Sequence, residues 1–210
     1  MGKTRKFLSL ILVGAALSTG HAADGMKQDN VHIRTWNAFA DNVYQLHRKL
    51  TEKGDITVRK SLGGYAQNKD FYVEEAYYRD GKLISRVQWE RENPEVLHTI
   101  EVYVRDAKGR VARDFVAAYL PVYHNAPTQT LISLHRYNGD LHAFRTFDAS
   151  GYRIIERCEG TLNGKPVNIL LDEDEIDEAL SDPDGIMQTA EYRQCFGDLQ
   201  AKAGKYLTPQ

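Results

Sequence analysis

The first regular pattern in the chain is a helical one, between residues 31 and 50. Apolar side chains there recur every three or four positions, at Ile33, Trp36, Phe39, Ala40, Val43, Leu46 and Leu50. This spacing gathers them on one stripe of an α-helix, and such a stripe packs against another element. Asn30 is a suitable N-cap and Gly54 a suitable stop. We therefore predict a helix that covers a sheet face, with His47 beside its apolar stripe.

From about residue 56 to residue 170 the hydrophobic period changes from a helical one to two, which is typical of β-strands. Segments rich in Gly, Asn, Asp and Pro separate the alternating runs, at residues 67–70, 80–81, 92–95, 106–109, 138–139, 148–151 and 163–164. Asp-Gly and Asn-Gly are the strongest short signals for a β-hairpin because the two central turn residues need positive φ. We expect seven to nine antiparallel strands in a meander that forms a curved sheet or a partly closed barrel.

The hairpin at Asp80-Gly81 also makes its strand pairing testable. A two-residue turn there pairs Tyr78 with Leu83, Ala76 with Ser85, Glu74 with Val87 and Tyr72 with Trp89. A four-residue turn at 92–95 continues the pattern and pairs Trp89 with His98, Val87 with Ile100 and Ser85 with Val102. One face of these strands is then mostly apolar, and the other carries a ladder of alternating charge formed by Glu75, Arg86 and Glu101, which cross-strand pairing favours.

After residue 170 the pattern becomes helical again. Asp172 precedes an acidic first turn, which suits a helix N-terminus. The segment 182–185 contains Pro183 and ends this helix, and a second helix is predicted from Ile186 to about Ala203. The whole pattern predicts an α+β domain over residues 23–210, in which an N-terminal helix and C-terminal helices pack on an antiparallel sheet.

Residues 1–22 have the three parts of a secretory signal peptide. Lys3, Arg5 and Lys6 are followed by an apolar run, and the small residues at Gly20 and Ala22 precede a cleavage point. The apolar run is too short to span a membrane. We expect the mature chain to be exported, to the periplasm or otherwise to the outside of the cell.

The net charge changes when this segment is removed. The full chain carries 27 Lys and Arg against 29 Asp and Glu, and cleavage after residue 22 removes three basic residues, so the net charge falls from −2 to −5. Nucleic acid and anionic membranes both favour a basic surface, so neither is expected as a partner.

The chain has two cysteines, Cys158 and Cys195. In an oxidising compartment a single pair most simply forms a disulfide. This bond would attach the C-terminal helix to the last part of the sheet.

A candidate ligand-binding group lies on the apolar face of the first sheet half. The predicted pairing places Tyr72, Glu74, Trp89 and His98 there, and the turn at 106–109 adds Arg113. A carboxylate on a buried face is costly unless it is paired or hydrated, so Glu74 is expected either to contact a ligand or to reach water at a sheet edge.

A candidate metal-binding pair lies in the hairpin around residue 138. With Asn138-Gly139 as a two-residue turn, His135 faces His142 across neighbouring strands. Two such histidines can share a divalent metal if a third ligand joins them, and His124, Asp140 or Glu156 could supply it. The alternative is a pair of histidines at the rim of a hairpin with no metal.

No motif for a nucleophile, a zinc site or a phosphate-binding loop occurs in the chain. We therefore expect a non-catalytic binding protein of the cell envelope, with a lipid-like or small amphiphilic ligand in an aromatic-lined concavity. A metal-binding protein or metal-dependent enzyme using His135 and His142 is the first alternative. An envelope structural or assembly factor that binds another protein is the second.

Overall fold

A computed structural model describes residues 30–121 and 124–210, and the predicted signal peptide lies outside them. The chain begins with helix α1 (Asn30–Thr51) and continues through nine strands: β1 (Thr57–Tyr65), β2 (Asn68–Arg79), β3 (Lys82–Glu90), β4 (Leu97–Arg105), β5 (Val111–Ala118), β6 (Gln129–Asn138), β7 (Leu141–Phe147), β8 (Arg153–Leu162) and β9 (Lys165–Leu171). Helices α2 (Glu173–Ser181) and α3 (Ala190–Phe196) follow, with 3-10 turns at Ile186–Gln188 and Gly204–Leu207. The strands form one sheet in the order β1 to β9, which confirms the predicted α+β meander and makes it an open sheet.

Two of the predicted hairpins have the backbone that their sequences require. Asp80 and Gly81 have φ of 50° and 73°, and Asn163 and Gly164 have φ of 52° and 77°. Positive φ at both central residues is the mark of a type I′ turn, whose twist matches that of the flanking strands. The hairpin at residues 80–81 is therefore confirmed.

The predicted pairing of β2 with β3 is wrong beyond the first pairs. Tyr78 faces Leu83 as predicted, but the next pair is Tyr77 with Ser85, so Ile84 is an extra residue in β3. One extra residue is a β-bulge, and it shifts every later pair by one position. Ser85 is thereby placed 2.8 Å from Nδ1 of His47, which lies buried on α1.

The bulge exchanges the positions of two neighbouring carboxylates. Glu75, rather than Glu74, faces Val87 on the side that α1 covers, and Glu74 faces Gln88 on the opposite side. The pairing of β3 with β4 is as predicted for Val87 with Ile100. The error in the pairing of β2 with β3 thus comes from one inserted residue, Ile84.

The predicted charge ladder forms only in part. Arg86 lies 3.8 Å from Glu101, as expected for a cross-strand ion pair. Glu75 instead forms an ion pair of 2.6 Å with Lys60 and accepts a 2.7 Å hydrogen bond from the hydroxyl of Tyr77.

The main hydrophobic core lies between α1 and the central strands. Apolar residues of α1 pack against one face of β3 to β7, and the buried members are Phe39, Ala40, Val43, Leu46, Val87, Ile100, Val102, Phe115, Ala117, Ile132, Leu134, Phe147, Ala149 and Ala203. This confirms the predicted stripe. We call the side of the sheet that this core occupies the helix face, and the other side the open face.

A second core lies between α2, α3 and the last three strands, also on the helix face. The disulfide between Cys158 of β8 and Cys195 of α3 is buried within it, which confirms the predicted bond and its role. Asp172 caps α2 in a capping box with Glu175, also as predicted.

The last predicted helix is shorter than expected. Instead of continuing from Ile186 to Ala203, the chain makes a 3-10 turn, restarts at Thr189, whose side chain caps Tyr192, and leaves the helix at Gly197. Thr189 has the extended backbone of an N-cap, so it divides the segment. No helix in the described residues is long and apolar enough to cross a membrane.

Candidate functional site

The five predicted ligand-binding residues do not meet on one face. Trp89 lies on the helix face, where its ring meets that of Tyr44 edge-on at 6.1 Å. Arg113 lies on the same face, with its guanidinium 4.8 Å above the ring of Tyr206. Both side chains therefore pack against the structure that covers the helix face, and the predicted group is divided.

Tyr72 and Glu74 lie on the open face because the bulge in β3 reverses the predicted pairing. Tyr72 faces Glu90, and Glu74 accepts a 3.0 Å hydrogen bond from the side chain of Gln88. The assignment of Glu74 to the apolar face was wrong for this reason. Its role in ligand binding stays a prediction.

His98 is the predicted residue with the most unusual surroundings. A second bulge pairs Trp89 with Leu97 rather than with His98 as predicted, so His98 has no partner in β3. Its ring stacks on that of Tyr72 at 5.8 Å, and its Nε2 shares a hydrogen bond with the hydroxyl of Tyr65. Phe71 meets it edge-on at 5.1 Å. We call Tyr65, Phe71, Tyr72 and His98 the aromatic cluster.

Gly63 makes this cluster possible. A Cβ atom at this position would lie 2.6 Å from the ring of Tyr72, closer than a side chain can approach. The missing side chain at Gly63 therefore leaves the space that the ring of Tyr72 occupies.

A cavity of about 620 Å³ opens beside the aromatic cluster. The start of β2, the β3–β4 turn and the segment after β5 line it with Asn68, Asp70, Phe71, Glu90, Arg91, Glu92, Asn93, Pro121 and His124. Its size is that of a small-molecule site. Phe71 belongs to both the cluster and the cavity wall, so the two features are continuous.

Glu90 is the buried charged residue of this cavity. Only 5% of its surface is exposed, and Oε1 has no hydrogen-bond partner among the described residues. The nearest base is His124, whose Nε2 lies 3.5 Å away and whose side chain is largely exposed. A buried carboxylate oxygen without a hydrogen bond is costly and calls for a specific reason.

A second unpartnered polar atom lies close to Glu90. Nδ1 of His98 is buried without a hydrogen bond in the described part of the chain. Burial lowers the pKa of His98, the charge of Glu90 opposes this, and His124 adds to the lowering. The ring is therefore held in its neutral form over most of the physiological range.

The charges around the cavity favour a cationic or donor-bearing ligand. Arg91 is already paired with Asp70 at 3.2 Å, on the exposed rim. Glu90 and Glu92 remain, and among the described residues His124 is the only other base in the lining. The arrangement can accept hydrogen bonds from a ligand, whereas an anion would meet uncompensated negative charge.

Sequence reasoning missed Glu90 as a site residue. The alternating pattern places it on the polar side at the end of β3, where an acidic residue looks like a solvated strand end. Its burial depends on His124, about thirty positions later in the chain, and on Phe71 of the neighbouring strand. No local signal in the sequence reports those contacts.

The predicted histidine pair is brought together, although by a different pairing. Asn138 faces Leu141, so the turn residues are Gly139 and Asp140 rather than Asn138 and Gly139, and His142 faces Tyr137. This contradicts the direct pairing of the two histidines. They meet diagonally instead, because residues two positions apart on neighbouring strands share a face.

The contacts of this pair form a chain of hydrogen bonds on the open face. Nδ1 of His135 lies 2.9 Å from Nε2 of His142, and Nε2 of His135 lies 2.5 Å from Oδ2 of Asp114. The ring of His142 stacks on Tyr137 at 4.5 Å with an angle of 3° between the ring planes. Burial and then His135 lower the pKa of His142.

The three residues considered as a third metal ligand lie elsewhere. His124 borders the cavity, Asp140 is in the turn, and Glu156 is buried on the helix face against Arg145. Within residues 30–121 and 124–210, no group of three or more His, Cys, Asp or Glu side chains is arranged to hold a metal ion.

Comparison with known proteins adds no assignment to these two sites. The chain matches no protein-family model, no curated protein and no solved structure.

Proposed function

We propose that this chain is an exported, non-catalytic binding protein of the periplasm, and that it binds a small amphiphilic ligand with an amino group in the cavity beside the aromatic cluster. The observation that carries the proposal is Glu90, a buried carboxylate that lines the cavity and whose Oε1 receives no hydrogen bond from residues 30–121 and 124–210. An ammonium group has three donors and a positive charge, so it satisfies this oxygen and neutralises the carboxylate.

The apolar part of the ligand is proposed to contact Phe71 and Pro121, the two apolar residues in the described part of the cavity lining. Behind Phe71, Tyr72 and His98 form a stacked wall that supports it. Aromatic faces also attract cations, which adds to the preference for an amine over an acid. This arrangement favours the amphiphilic ligand class that the composition of the sheet suggested.

The test compares two ligands of equal length and opposite charge. Isothermal titration calorimetry at pH 7.5 with hexylamine and with hexanoate measures both affinities on the mature protein. We expect hexylamine to bind and hexanoate to bind at least about tenfold more weakly, since a hydrogen bond to a charged group is worth roughly 1.5–3 kcal/mol. Glu90→Gln should weaken hexylamine binding by about the same factor.

Glu74→Gln is the matched control. Glu74 lies on the same face and is hydrogen-bonded by Gln88, but it does not line the cavity, so hexylamine binding should be unchanged. Equal affinity for the amine and the acid, or an equal effect of the two substitutions, would refute the proposed role of Glu90. Native mass spectrometry of the purified protein would then search for a ligand of another class.

A further inference from the structure

Two imidazole nitrogens face each other on the open face of β6 and β7, on residues that do not line the cavity. Nδ1 of His135 and Nε2 of His142 are 2.9 Å apart. The side chain of His135 is only 11% exposed and that of Asp114 only 17%, so the arrangement is held within the sheet surface. Neither residue has a role in the proposed ligand binding.

The hydrogen bonds determine which nitrogens carry protons. Asp114 is an acceptor, so in the neutral ring of His135 the proton is on Nε2, which donates to Oδ2 at 2.5 Å. Nδ1 of His135 is then an unprotonated acceptor, and the proton in the bond between the two histidines belongs to Nε2 of His142. His135 therefore presents a lone pair towards His142.

A carboxylate that accepts from one imidazole nitrogen while the other presents its lone pair is the usual arrangement around a metal-binding histidine. The carboxylate fixes the tautomer and the ring orientation, and it raises the basicity of the ligand. Asp114 meets this description, and it lies on β5, next to the strand that carries His135.

We propose that His135 and His142 bind a divalent transition metal of the class that prefers imidazole, Zn²⁺ or Cu²⁺, between Nδ1 of the first and Nε2 of the second, with Asp114 as a positioning residue. In a tetrahedral site with metal–nitrogen distances of about 2.0–2.1 Å, two nitrogens are about 3.4 Å apart. The rings therefore need to separate by about half an ångström from their present distance.

The remaining coordination positions are left to water or to a ligand from solution. All the α-helices in the described residues pack on the helix face, so none of them covers the histidine pair, although the side chain of His135 is itself only 11% exposed. No third His, Cys, Asp or Glu completes a group in residues 30–121 and 124–210. The third ligand that such a pair needs must therefore come from solution, and a site with only two protein ligands binds its metal weakly and reversibly.

Neighbouring aromatic and charged groups hold the rings in place. The ring of Tyr137 stacks on that of His142, and the guanidinium of Arg110 lies 4.4 Å above the ring of Tyr137. Glu159 faces His142 from β8, but its carboxylate is paired with Arg157 of the same strand, so the two charges largely offset each other at the site. The ring of His142 is thus oriented before the metal arrives, which lowers the entropy cost of binding.

The first test is a calorimetric titration of the untagged protein with zinc chloride at pH 7.5. We expect one zinc ion per chain. His142→Phe keeps a ring to stack on Tyr137 but removes both nitrogens, and it should abolish this binding. Asp114→Asn should weaken it by about 10–100-fold, the usual effect of losing such a partner, with the midpoint of thermal unfolding little changed.

His124→Ala is the control, because His124 lies near a different carboxylate, Glu90. It should leave the zinc affinity unchanged. The proposal is overturned if the wild-type chain binds no stoichiometric zinc, if His142→Phe binds it as well as the wild type does, or if His124→Ala abolishes the binding.

The second test uses NMR to detect which imidazole nitrogens carry protons, instead of measuring the heat of binding. Binding requires the lone pair on Nε2 of His142, so its proton moves to Nδ1 of the same ring and none is released from the neutral pair. Long-range ¹⁵N-edited NMR at pH 7.5 should show His142 changing from the Nε2–H to the Nδ1–H tautomer on zinc addition, while His135 keeps its proton on Nε2. Zinc binding without this change would contradict the proposed geometry.

Discussion

The ion pair between Glu156 and Arg145 offers the most direct test of how the C-terminal segment is held to the sheet. Glu156 is fully buried, and Arg145 is 4% exposed. Nε of Arg145 donates to Oε1 of Glu156, Arg153 lies 3.1 Å from the same oxygen, and the hydroxyl of Tyr192 donates to Oε2. Burial and the charge of Glu156 raise the pKa of Tyr192 to about 12, which keeps it a donor.

Arg145 also connects the sheet to the chain after α3. Its guanidinium donates to the backbone carbonyls of Leu199 and Gln200 at 3.0 and 2.9 Å. The segment around residue 200 has no regular helix of its own, so these bonds and a few buried side chains fix its position. Loss of the carboxylate therefore affects the sheet and this segment together.

We expect Glu156→Gln to lower the free energy of unfolding by about 3–5 kcal/mol. The substitution keeps the size of the side chain but leaves the buried guanidinium of Arg145 and the partly buried one of Arg153 without a counter-charge, and removal of one partner from a buried pair costs this much. Because domains of this kind are stable by only about 5–15 kcal/mol, the loss is a large fraction of the total.

Glu159→Gln is the matched control on the same strand. Glu159 pairs with Arg157, and both side chains are about half exposed, so the loss should be below about 1 kcal/mol. Urea unfolding followed by circular dichroism measures both variants, with the dependence on urea concentration checked for each. If Glu156→Gln costs no more than Glu159→Gln, the buried network does not have the role assigned to it.

A double substitution separates two effects: the loss of the attraction between Glu156 and Arg145, and the cost of leaving Arg145 buried without a counter-charge. Arg145→Met combined with Glu156→Leu removes both charges and keeps apolar volume. Buried ion pairs can often be replaced in this way at little cost or with a gain. The double variant should therefore be more stable than Glu156→Gln alone, although the carbonyls of Leu199 and Gln200 lose a donor.

Three further outcomes are expected from substitutions elsewhere in the fold. Replacing Cys158 and Cys195 together by Ser opens a loop of 37 positions and should lower the free energy of unfolding by about 4 kcal/mol through chain entropy. Urea unfolding measures this loss, and a loss near zero would show that the disulfide adds no stability to the second core. Burial lowers the pKa of His47 from 6.5, so the unfolded chain takes up the proton first and the free energy of unfolding should fall as pH drops below about 6.5. His47→Gln should make this fall less steep, but only in part, because the pKa values of His98 and His142 are lowered as well, and an unchanged slope would contradict the role of His47. Gly160→Ala should lower the midpoint of thermal unfolding much more than Gly164→Ala. Both glycines have positive φ, but only a Cβ atom at residue 160 would meet a backbone oxygen, at 2.2 Å, so equal shifts would contradict this explanation.

The meander could be predicted because its signals are local. Alternation of apolar and polar residues specifies a strand, and Asp80-Gly81 or Asn163-Gly164 specifies the turn that follows. The capping residue Asp172 acts within one turn of its helix in the same way. Each of these features needs only a few consecutive residues, so the class and order of elements could be inferred without any tertiary contact.

The candidate site could not be predicted in the same way, because it depends on single-residue irregularities. The extra residue Ile84 moves Glu74 to the open face, and a second bulge leaves His98 without a partner in β3. A bulge adds one position with no distinctive composition, and a shift of one position exchanges the two faces. The predicted direct pairing of His135 with His142 was wrong for a related reason, because the turn lies at Gly139-Asp140, one residue later than predicted.

The division between the two faces leads to a last prediction about stability and binding. Glu156 lies on the helix face with its oxygens paired, whereas Glu90 is nearly as buried but its Oε1 has no hydrogen bond from the described residues. Its nearest base, His124, is largely exposed and 3.5 Å away, so removing the buried charge relieves a cost of desolvation, and Glu90→Gln should leave the free energy of unfolding unchanged or raise it. Glu156→Gln should lower it strongly.

Binding should respond in the opposite way. Glu90→Gln should weaken hexylamine at unchanged or higher stability, which is the expected trade between function and stability at a binding site. Urea unfolding and calorimetry on the same samples measure the two effects together. A Glu90→Gln protein that is several kcal/mol less stable than wild type would show that the carboxylate is a structural partner of His124. The main argument for a ligand site in the cavity would then be refuted.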